Sequence, residues 1–273
     1  MNKKPLILFK YGGNAMTNAS LKKDVIRKII SLKQKGFDVI ISHGGGPYIK
    51  KILKQTGIES EFIDGQRVTT PEAFVFIEMA LKGQVNSNLV NTINTSGGKA
   101  VGLSGKDGQT VVARKRKHKR YTNGKEELID LGQVGDVASV DSTLIDILLE
   151  KDFIPVIACI AADEKGNGYN INGDNFAGTL AGALQAEQFV ILTDVDGLLK
   201  DKEDPETIIR SLHPDEIKKL KSDGTIQGGM IPKIEACENA ILKGARSAKI
   251  INGTKPGQIL SIEENKFGTL IKK

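Results

Sequence analysis

Short, wholly apolar runs, each ending in a glycine-rich or acidic turn and then giving way to a helical period, constrain the fold of this chain more than any other feature. Leu6-Ile7-Leu8-Phe9 ends at Lys10-Tyr11-Gly12-Gly13, after which Leu21, Val25, Ile29 and Ile30 recur at helical spacing until Lys35-Gly36. Val39-Ile40-Ile41-Ser42 ends at His43-Gly44-Gly45-Gly46-Pro47, where the proline opens the next helix. A longer helical pattern runs from Pro71 towards Ile93, and Ala100-Val101-Gly102-Leu103 reads as a further buried strand.

The second half follows the same logic. The spacing predicts a strand over 154–160, a small-residue helix over 174–185, a strand over 189–192, a helix over 231–243 and a strand over 248–251. The interval 107–140 reads as hairpins standing off the main sheet. Continuous apolar strands alternating with helices predict an α/β fold, its largely parallel sheet covered on both faces. In such sheets ligands bind beyond the carboxyl ends of the strands, which is where the glycine-rich and acidic turns fall.

Composition narrows the function classes. Net charge is +6 over 273 residues, which suits an anionic ligand. Cys159 and Cys237 lie far apart with no CxxC spacing, which argues against a zinc site and fits a reducing compartment. The apolar run before Lys10 is shorter than a signal-peptide core of about 7–15 residues, and none reaches the ~18 needed to span a membrane. A soluble, cytoplasmic protein is the expectation. The basic run from Arg114 to Arg120 fits a nucleic-acid or acidic-protein surface, but equally a solvated hairpin arm, with Asn123-Gly124 as its turn. No aromatic residues interleave it as stacking platforms.

Three constellations carry chemistry. Gly12-Gly13 and Gly44-Gly45-Gly46 let backbone N–H groups approach an anion at the start of a helix. Asn170, Asn172 and Asp174 alternate, so an extended segment presents all three to one side; Asp174 is also a candidate N-cap. Lys233, after Gly228-Gly229, falls in the first turn of a helix, an unfavourable place for a cation unless an anion lies nearby. Lys10 and Lys233 are thus candidates to converge on a polyphosphate, the arrangement phosphoryl transfer requires. No GxxxxGK[ST] or GxGxxG is present. Gly102 to Gly108 only superficially resembles a phosphate loop, and His43 is assigned no proton-transfer role.

In order and spacing, the motifs Lys10-Tyr11-Gly12-Gly13, His43-Gly44-Gly45-Gly46-Pro47, Gly65-Gln66-Arg67-Val68-Thr69, Gly102-Leu103-Ser104-Gly105-Lys106-Asp107, Leu131-Gly132-Gln133-Val134-Gly135, Asn170-Ile171-Asn172-Gly173-Asp174, Leu192-Thr193-Asp194-Val195-Asp196-Gly197 and Gly229-Met230-Ile231-Pro232-Lys233 resemble the N-acetylglutamate kinase family, across nearly the whole chain. That family has the amino acid kinase fold, a three-layer αβα sandwich with a mostly parallel central sheet. The resemblance implies one domain over 1–273, with a substrate and dimer lobe at about 1–173 and a nucleotide lobe at about 174–273. It implies that Lys10 and Lys233 stabilise the transition state, with Asp174 orienting both. Gly12, Gly13 and Gly45 would donate to phosphate oxygens, and Gly45, Gly46, Arg67 and Asn170 would hold N-acetyl-L-glutamate.

By the same resemblance Thr193, Asp194, Val195, Asp196, Gly197, Leu198 and Leu199, with Thr225, Ile226 and Gln227, would line the ATP pocket. Mg2+ would be held mainly through ATP phosphates, so no protein metal ligand is assigned. Gly173 and Cys159 depart from the family, which more often has Ala and a Pro or other small residue there. With nine residues before Lys10, a homodimer insensitive to arginine is the expectation, with no nucleic acid or membrane partner. The alternatives are a kinase of glutamate or aminoadipate on an acidic amino-group carrier protein, which the basic run keeps open, and a non-catalytic binding relative. Carbamate kinase, aspartokinase and uridylate kinase share the fold.

Overall fold

The computed structural model describes residues 4–273 apart from 17, 123, 124, 263 and 265; side chains at 14, 15, 121, 122 and 125 are likewise outside the description. The proposed Asn123-Gly124 turn therefore lies outside the described residues. In chain order the strands are β1 (Leu6–Tyr11), β2 (Asp38–His43), β3 (Phe62–Ile63), β4 (Gln66–Arg67), β5 (Ala100–Ser104), β6 (Val111–Lys115), β7 (His118–Thr122) and β8 (Lys125–Ile129). They continue with β9 (Val134–Val140), β10 (Ile154–Ala158), β11 (Ile160–Ala162), β12 (Gly168–Ile171), β13 (Gln188–Thr193), β14 (Ser211–Leu212), β15 (Ala248–Asn252) and β16 (Thr269–Ile271). The α-helices are α1 (Ala19–Gln34), α2 (Gly46–Gln55), α3 (Pro71–Glu78), α4 (Ser87–Thr95), α5 (Thr143–Glu150), α6 (Gly173–Ala183), α7 (Ile217–Ser222) and α8 (Met230–Leu242).

Eight strands form the main sheet in the order β14-β16-β15-β13-β1-β2-β10-β5. Neighbours from β5 through β15 pair in parallel, and β16 runs antiparallel to β15. Alternation along β1 shows why both faces are covered. Leu6 and Leu8 join a core with residues of α2, α3, α6 and α8, while Ile7, Phe9 and Tyr11 join a second core with residues of α1 and α4. Period-2 alternation of apolar residues can fill two cores only when helices lie on both sides. The three-layer αβα sandwich expected from the sequence is the fold.

Two local readings are refined. The predicted 154–160 strand is two strands that break at Cys159: β10 belongs to the main sheet, and β11 closes a small barrel with β12, β9 and β6. The 107–140 interval therefore supplies barrel walls as well as the standing-off β7–β8 hairpin. The helical pattern from Pro71 is continuous through α3, a π-type stretch at Met79–Asn86 and α4. That stretch carries Asn86 into the core, where its side-chain amide donates to Val156 O at 2.8 Å and to His43 Nε2 at 2.9 Å.

β1 is the topological switch point: the chain leaves it through α1 to β2 on one side, and returns on the other as β13. The ends of β1, β2 and β10 are aligned, with Tyr11 opposite His43 and Ala158 opposite His43. This alignment gathers Lys10, the two glycine turns and the start of α6 at one edge.

Candidate active site

Strand register places the Lys10 side chain beyond the sheet edge, and helix packing brings the carboxylate to it. Asn172, not Asp174, is the N-cap of α6: its side chain accepts from the backbone N–H groups of Asp174 (3.0 Å) and Asn175 (3.1 Å). The candidate cap at Asp174 is thereby corrected. With the cap supplied by Asn172, the Asp174 carboxylate is free to face two cations. Lys10 Nζ lies 2.9 Å from Oδ1, and Lys233 Nζ donates to Oδ2 at 3.4 Å. The side chains are 12 %, 8 % and 21 % exposed for Lys10, Asp174 and Lys233.

Burial pushes the Asp174 carboxyl up, but the two ammonium groups outweigh it and hold it below the ordinary carboxylate range. Lys233 sits in the first turn of α8, as its sequence context requires, with Asp174 as the compensating anion. α6 and α8 approach closely enough for this pairing because the seam is small: Gly178 has room for no side chain, since a Cβ would stand 2.4 Å from Ala236 O.

One cleft of about 310 Å³ is lined by Lys10, Gly12, Gly13, Gly45, Gly46, Arg67, Asn170 and Asp174, which brings together eight of the sequence-predicted residues. Lys233 reaches it through Asp174. Gly12 stands against the Lys10 side chain, where a Cβ would lie 3.1 Å from Nζ. Gly45 is pressed between Leu81 and Val85, where a Cβ would come within 2.6 Å of Leu81 Cδ2. A larger residue at 45 would push on Leu81, whereas one at 12 would displace the Lys10 ammonium by a few tenths of an ångström. Asn170 Nδ2 donates weakly to Thr69 Oγ1 at 3.4 Å, and Arg67 stacks over Phe62 with its guanidinium carbon 4.5 Å from the ring centre.

The expected nucleotide residues lie outside this cleft, on the β13 and α8 side. Thr193 ends β13, and the turn that follows is tied down by Asp196, which accepts from Asn252 Nδ2 (2.9 Å) and Lys255 Nζ (2.8 Å). Leu198 and Ile226 are 2 % exposed and belong to the core, so neither has a free side chain to offer a ligand. Gly197 has φ +144, and Leu199 bridges to Ile208. Val195 is 41 % exposed, Asp194 follows the end of β13, and Thr225 and Gln227 precede α8.

Reasoning from the sequence missed how His43 serves the site. The ring is fully buried; because the Asn86 amide donates to Nε2, Nδ1 carries the proton and donates to Gly44 O at 2.9 Å. Burial lowers its pKa to about 4, so it stays neutral and braces the glycine turn. Its place before three glycines was the available signal. The Gly102–Gly108 segment is a structural knot: Asp107 Oδ2 accepts from Ser104 N (2.6 Å), Ser104 Oγ (2.8 Å) and Lys82 Nζ (2.7 Å).

A parallel sheet whose strand ends gather glycine turns, with two lysines bridged by a buried carboxylate, is an arrangement suited to a polyanionic ligand. The profile of the Amino acid kinase family matches residues 5–252, and the chain belongs to that family. It is similar to the acetylglutamate kinase of Methanococcus maripaludis strain C7, 44 % identical over 97 % of this chain and 91 % of that protein. It is likewise similar to the acetylglutamate kinase of Methanocaldococcus jannaschii, 42 % identical over 98 % of this chain and 90 % of that protein. The solved carbamate kinase of Giardia shares the fold with a TM-score of 0.73 at 17 % identity, covering 100 % of both chains.

Proposed function

We propose that this chain transfers the γ-phosphoryl group of ATP to the γ-carboxylate of N-acetyl-L-glutamate, forming an acyl phosphate and ADP, the phosphorylation step of arginine biosynthesis. The observation that carries the proposal is the Lys10–Asp174–Lys233 array at the mouth of a cleft that also presents the glycine turns and Arg67. The likeness to acetylglutamate kinases over nearly the full length supports the choice of acceptor.

The attacking carboxylate is ionised at neutral pH, so it needs no general base. The transferring group needs positive charge around its oxygens, held in place before the reaction begins. Lys10 and Lys233 provide that charge, and Asp174 holds both ammonium groups at one locus while leaving the three groups with a net positive charge. Backbone N–H groups of Gly12, Gly13 and Gly45 extend the anion cradle. Arg67 is the bidentate partner for the non-reacting α-carboxylate, with Gly45, Gly46 and Asn170 around the remainder of the acceptor. ATP lies over the lobe from about 174 onward, along 193–199 and 225–227, while the acceptor occupies the lobe of about 1–173.

No group of three His, Cys, Asp or Glu side chains that could hold a metal ion occurs among the described residues. Asp174 is already matched by two lysines. These donors fit Mg2+ only as an ion brought in on ATP phosphates and water.

The basic run kept a carrier-protein substrate open, and its pairing favours the free amino acid. Lys115 pairs with Asp130, Arg116 with Asp136, His118 and Arg120 with Asp64, and Lys119 with Glu126. A homodimer through the first lobe is supported by Val75 and Met79, 48 % and 55 % exposed, one helical turn apart. Among the described residues no helix is long and apolar enough to cross a membrane, and the two buried free thiols suit a cytoplasmic setting.

The test is ADP release from ATP with N-acetylglutamate, glutamate, aspartate, carbamate and UMP compared side by side. Turnover with N-acetylglutamate well above the others is expected. Turnover only with another acceptor, or with none, overturns the assignment.

A further inference from the structure

The basic run has a second feature: three of its side chains, Arg116, His118 and Arg120, reach the hairpin that carries Arg67. β3 and β4 are two residues each, joined by Asp64 and Gly65 with φ +48 and +75, a two-residue turn of the primed type. A hairpin this short does not hold its own shape in water. At its base Val68 N donates to Glu61 O at 3.0 Å, and Thr69 N to Leu131 O at 2.9 Å. Its tip is held by the hairpin's own pairing, Ile63 opposite Gln66, and Phe62, Gly65, Gln66 and Arg67 all line the cleft.

What grips the tip is the segment leading into and along β7. Arg116 is anchored to the barrel by donating from Nε to Asp136 Oδ1 at 3.0 Å, and its Nη1 donates to Gln66 Oε1 at 2.7 Å. His118 Nε2 lies 2.7 Å from Asp64 Oδ2, and its Nδ1 lies 3.5 Å from Gln66 Nε2. Arg120 adds a looser contact to the same carboxylate at 3.8 Å. The side chains of Arg116 and His118 are only 17 % and 12 % exposed, so they are committed to the hairpin and not offered to solvent.

We propose that Arg116 and His118 are positioning residues for the acceptor substrate: they clamp the Asp64–Gln66 turn from outside and so hold Arg67 at the cleft. This rests on the reading that Arg67 grips the substrate α-carboxylate. Neither residue touches substrate; each acts through the hairpin. Without the clamp the tip samples conformations in which Arg67 is misplaced, and the acceptor then has to select the competent one.

The experiment compares wild type with His118→Ala, Arg116→Met and the exchange variant Asp64→His/His118→Asp. The exchange keeps the pair and places at 64 a residue type that tolerates positive φ. KM for N-acetylglutamate is expected to rise about 10-fold in each single variant, the scale of one charge-assisted hydrogen bond. KM for ATP is expected to stay near wild type in both, as is the Tm of His118→Ala, and the exchange variant to regain most of the loss seen in His118→Ala. Hydrogen exchange without substrate provides an independent reading: the Val68 amide is expected to exchange faster in the single variants.

Unchanged acetylglutamate KM, an equal rise in both KM values with a lowered Tm, an exchange variant that recovers nothing, or unaltered Val68 exchange would each overturn the clamp. If wild type itself turns over no N-acetylglutamate, the substrate reading fails instead, and Val68 exchange still decides whether the clamp exists.

Discussion

Replacing Gly178 with Ala tests whether the α6–α8 seam sets the reactive geometry. The new methyl carbon would stand 2.4 Å from Ala236 O, where ordinary contact begins at 3.4 Å, so one helix must retreat by about 1 Å. The obstructing atom is a backbone carbonyl, which no rotamer change can relieve. α6 is held by the Asn172 cap and the Lys10–Asp174 pair and packs on β1, β2, β9 and β13, whereas α8, apart from α6 itself, packs on β15 and β13. α8 is therefore the helix that yields, and it carries Lys233.

The Lys233–Asp174 contact is already 3.4 Å, so a further shift of that size takes it past the ~4 Å limit of an ion pair. Overpacking of this kind costs about 1–3 kcal/mol, a Tm loss of about 2–4 °C for each kcal/mol in a chain near this size. A misplacement of that order near the transferring group costs about 10²-fold in kcat. The assay is steady-state ADP release at saturating substrates, with thermal unfolding followed in parallel. Gly173→Ala in the same helix is the control: its methyl would meet Gly44 Cα and Lys10 Cε at an ordinary 3.6 Å. That variant is expected to keep wild-type kcat and to match or exceed wild-type Tm by up to about 1 kcal/mol in stability. A Gly178→Ala enzyme with kcat within threefold of wild type would refute the seam argument.

Lys10→Ala and Lys233→Ala are each expected to lower kcat by about 10²–10³, as for loss of one preorganised stabilising group, measured at saturating ATP and acceptor; near-normal turnover would remove that lysine from the chemistry. Asp174→Asn is expected to lower Tm at neutral pH. The Asp174 carboxyl is held below its ordinary value in the folded state, so its contribution is present above the unfolded value of about 4 and is lost as pH falls through the folded one. The Tm gap between variant and wild type should therefore close on acidification, and a gap that widens would contradict the charge assignment. Cys159 lines the cleft, but burial raises its thiol pKa to about 11, and burial raises that of Cys237 too. Both should resist alkylation at neutral pH until the protein is unfolded, as read by mass spectrometry.

Much of this molecule is local and so was legible in one dimension. Apolar runs over 6–9, 39–42 and 189–192 are buried on both faces, and a strand with that property reads as continuous hydrophobicity. Glycine turns and the lysine in the first turn of α8 declare an anion site because their cost is local: backbone approach in one case, a misplaced charge in the other. In the segment Asn170 to Asp174 the sequence pointed to Asp174 as the cap, and the structure gives that place to Asn172. The choice fell to Asn172 because Asp174 was claimed by two lysines from distant elements, a fact of tertiary packing alone.

The same division runs through the rest. Residues 154–160 look like one strand because both sheets bury them; only the closure of the barrel places the break at Cys159. The basic run looks like a surface for partners because its neighbours in sequence are also basic, while its countercharges Asp64, Asp130 and Asp136 arrive through folding. By itself the sequence determined the layered αβα architecture and which residue types stand at the strand ends, since both follow from periodicity and short-range chemistry. Tertiary structure alone decided the distances that make those residues a site, because strand register and the width of a glycine seam are set by contacts between segments far apart in the chain.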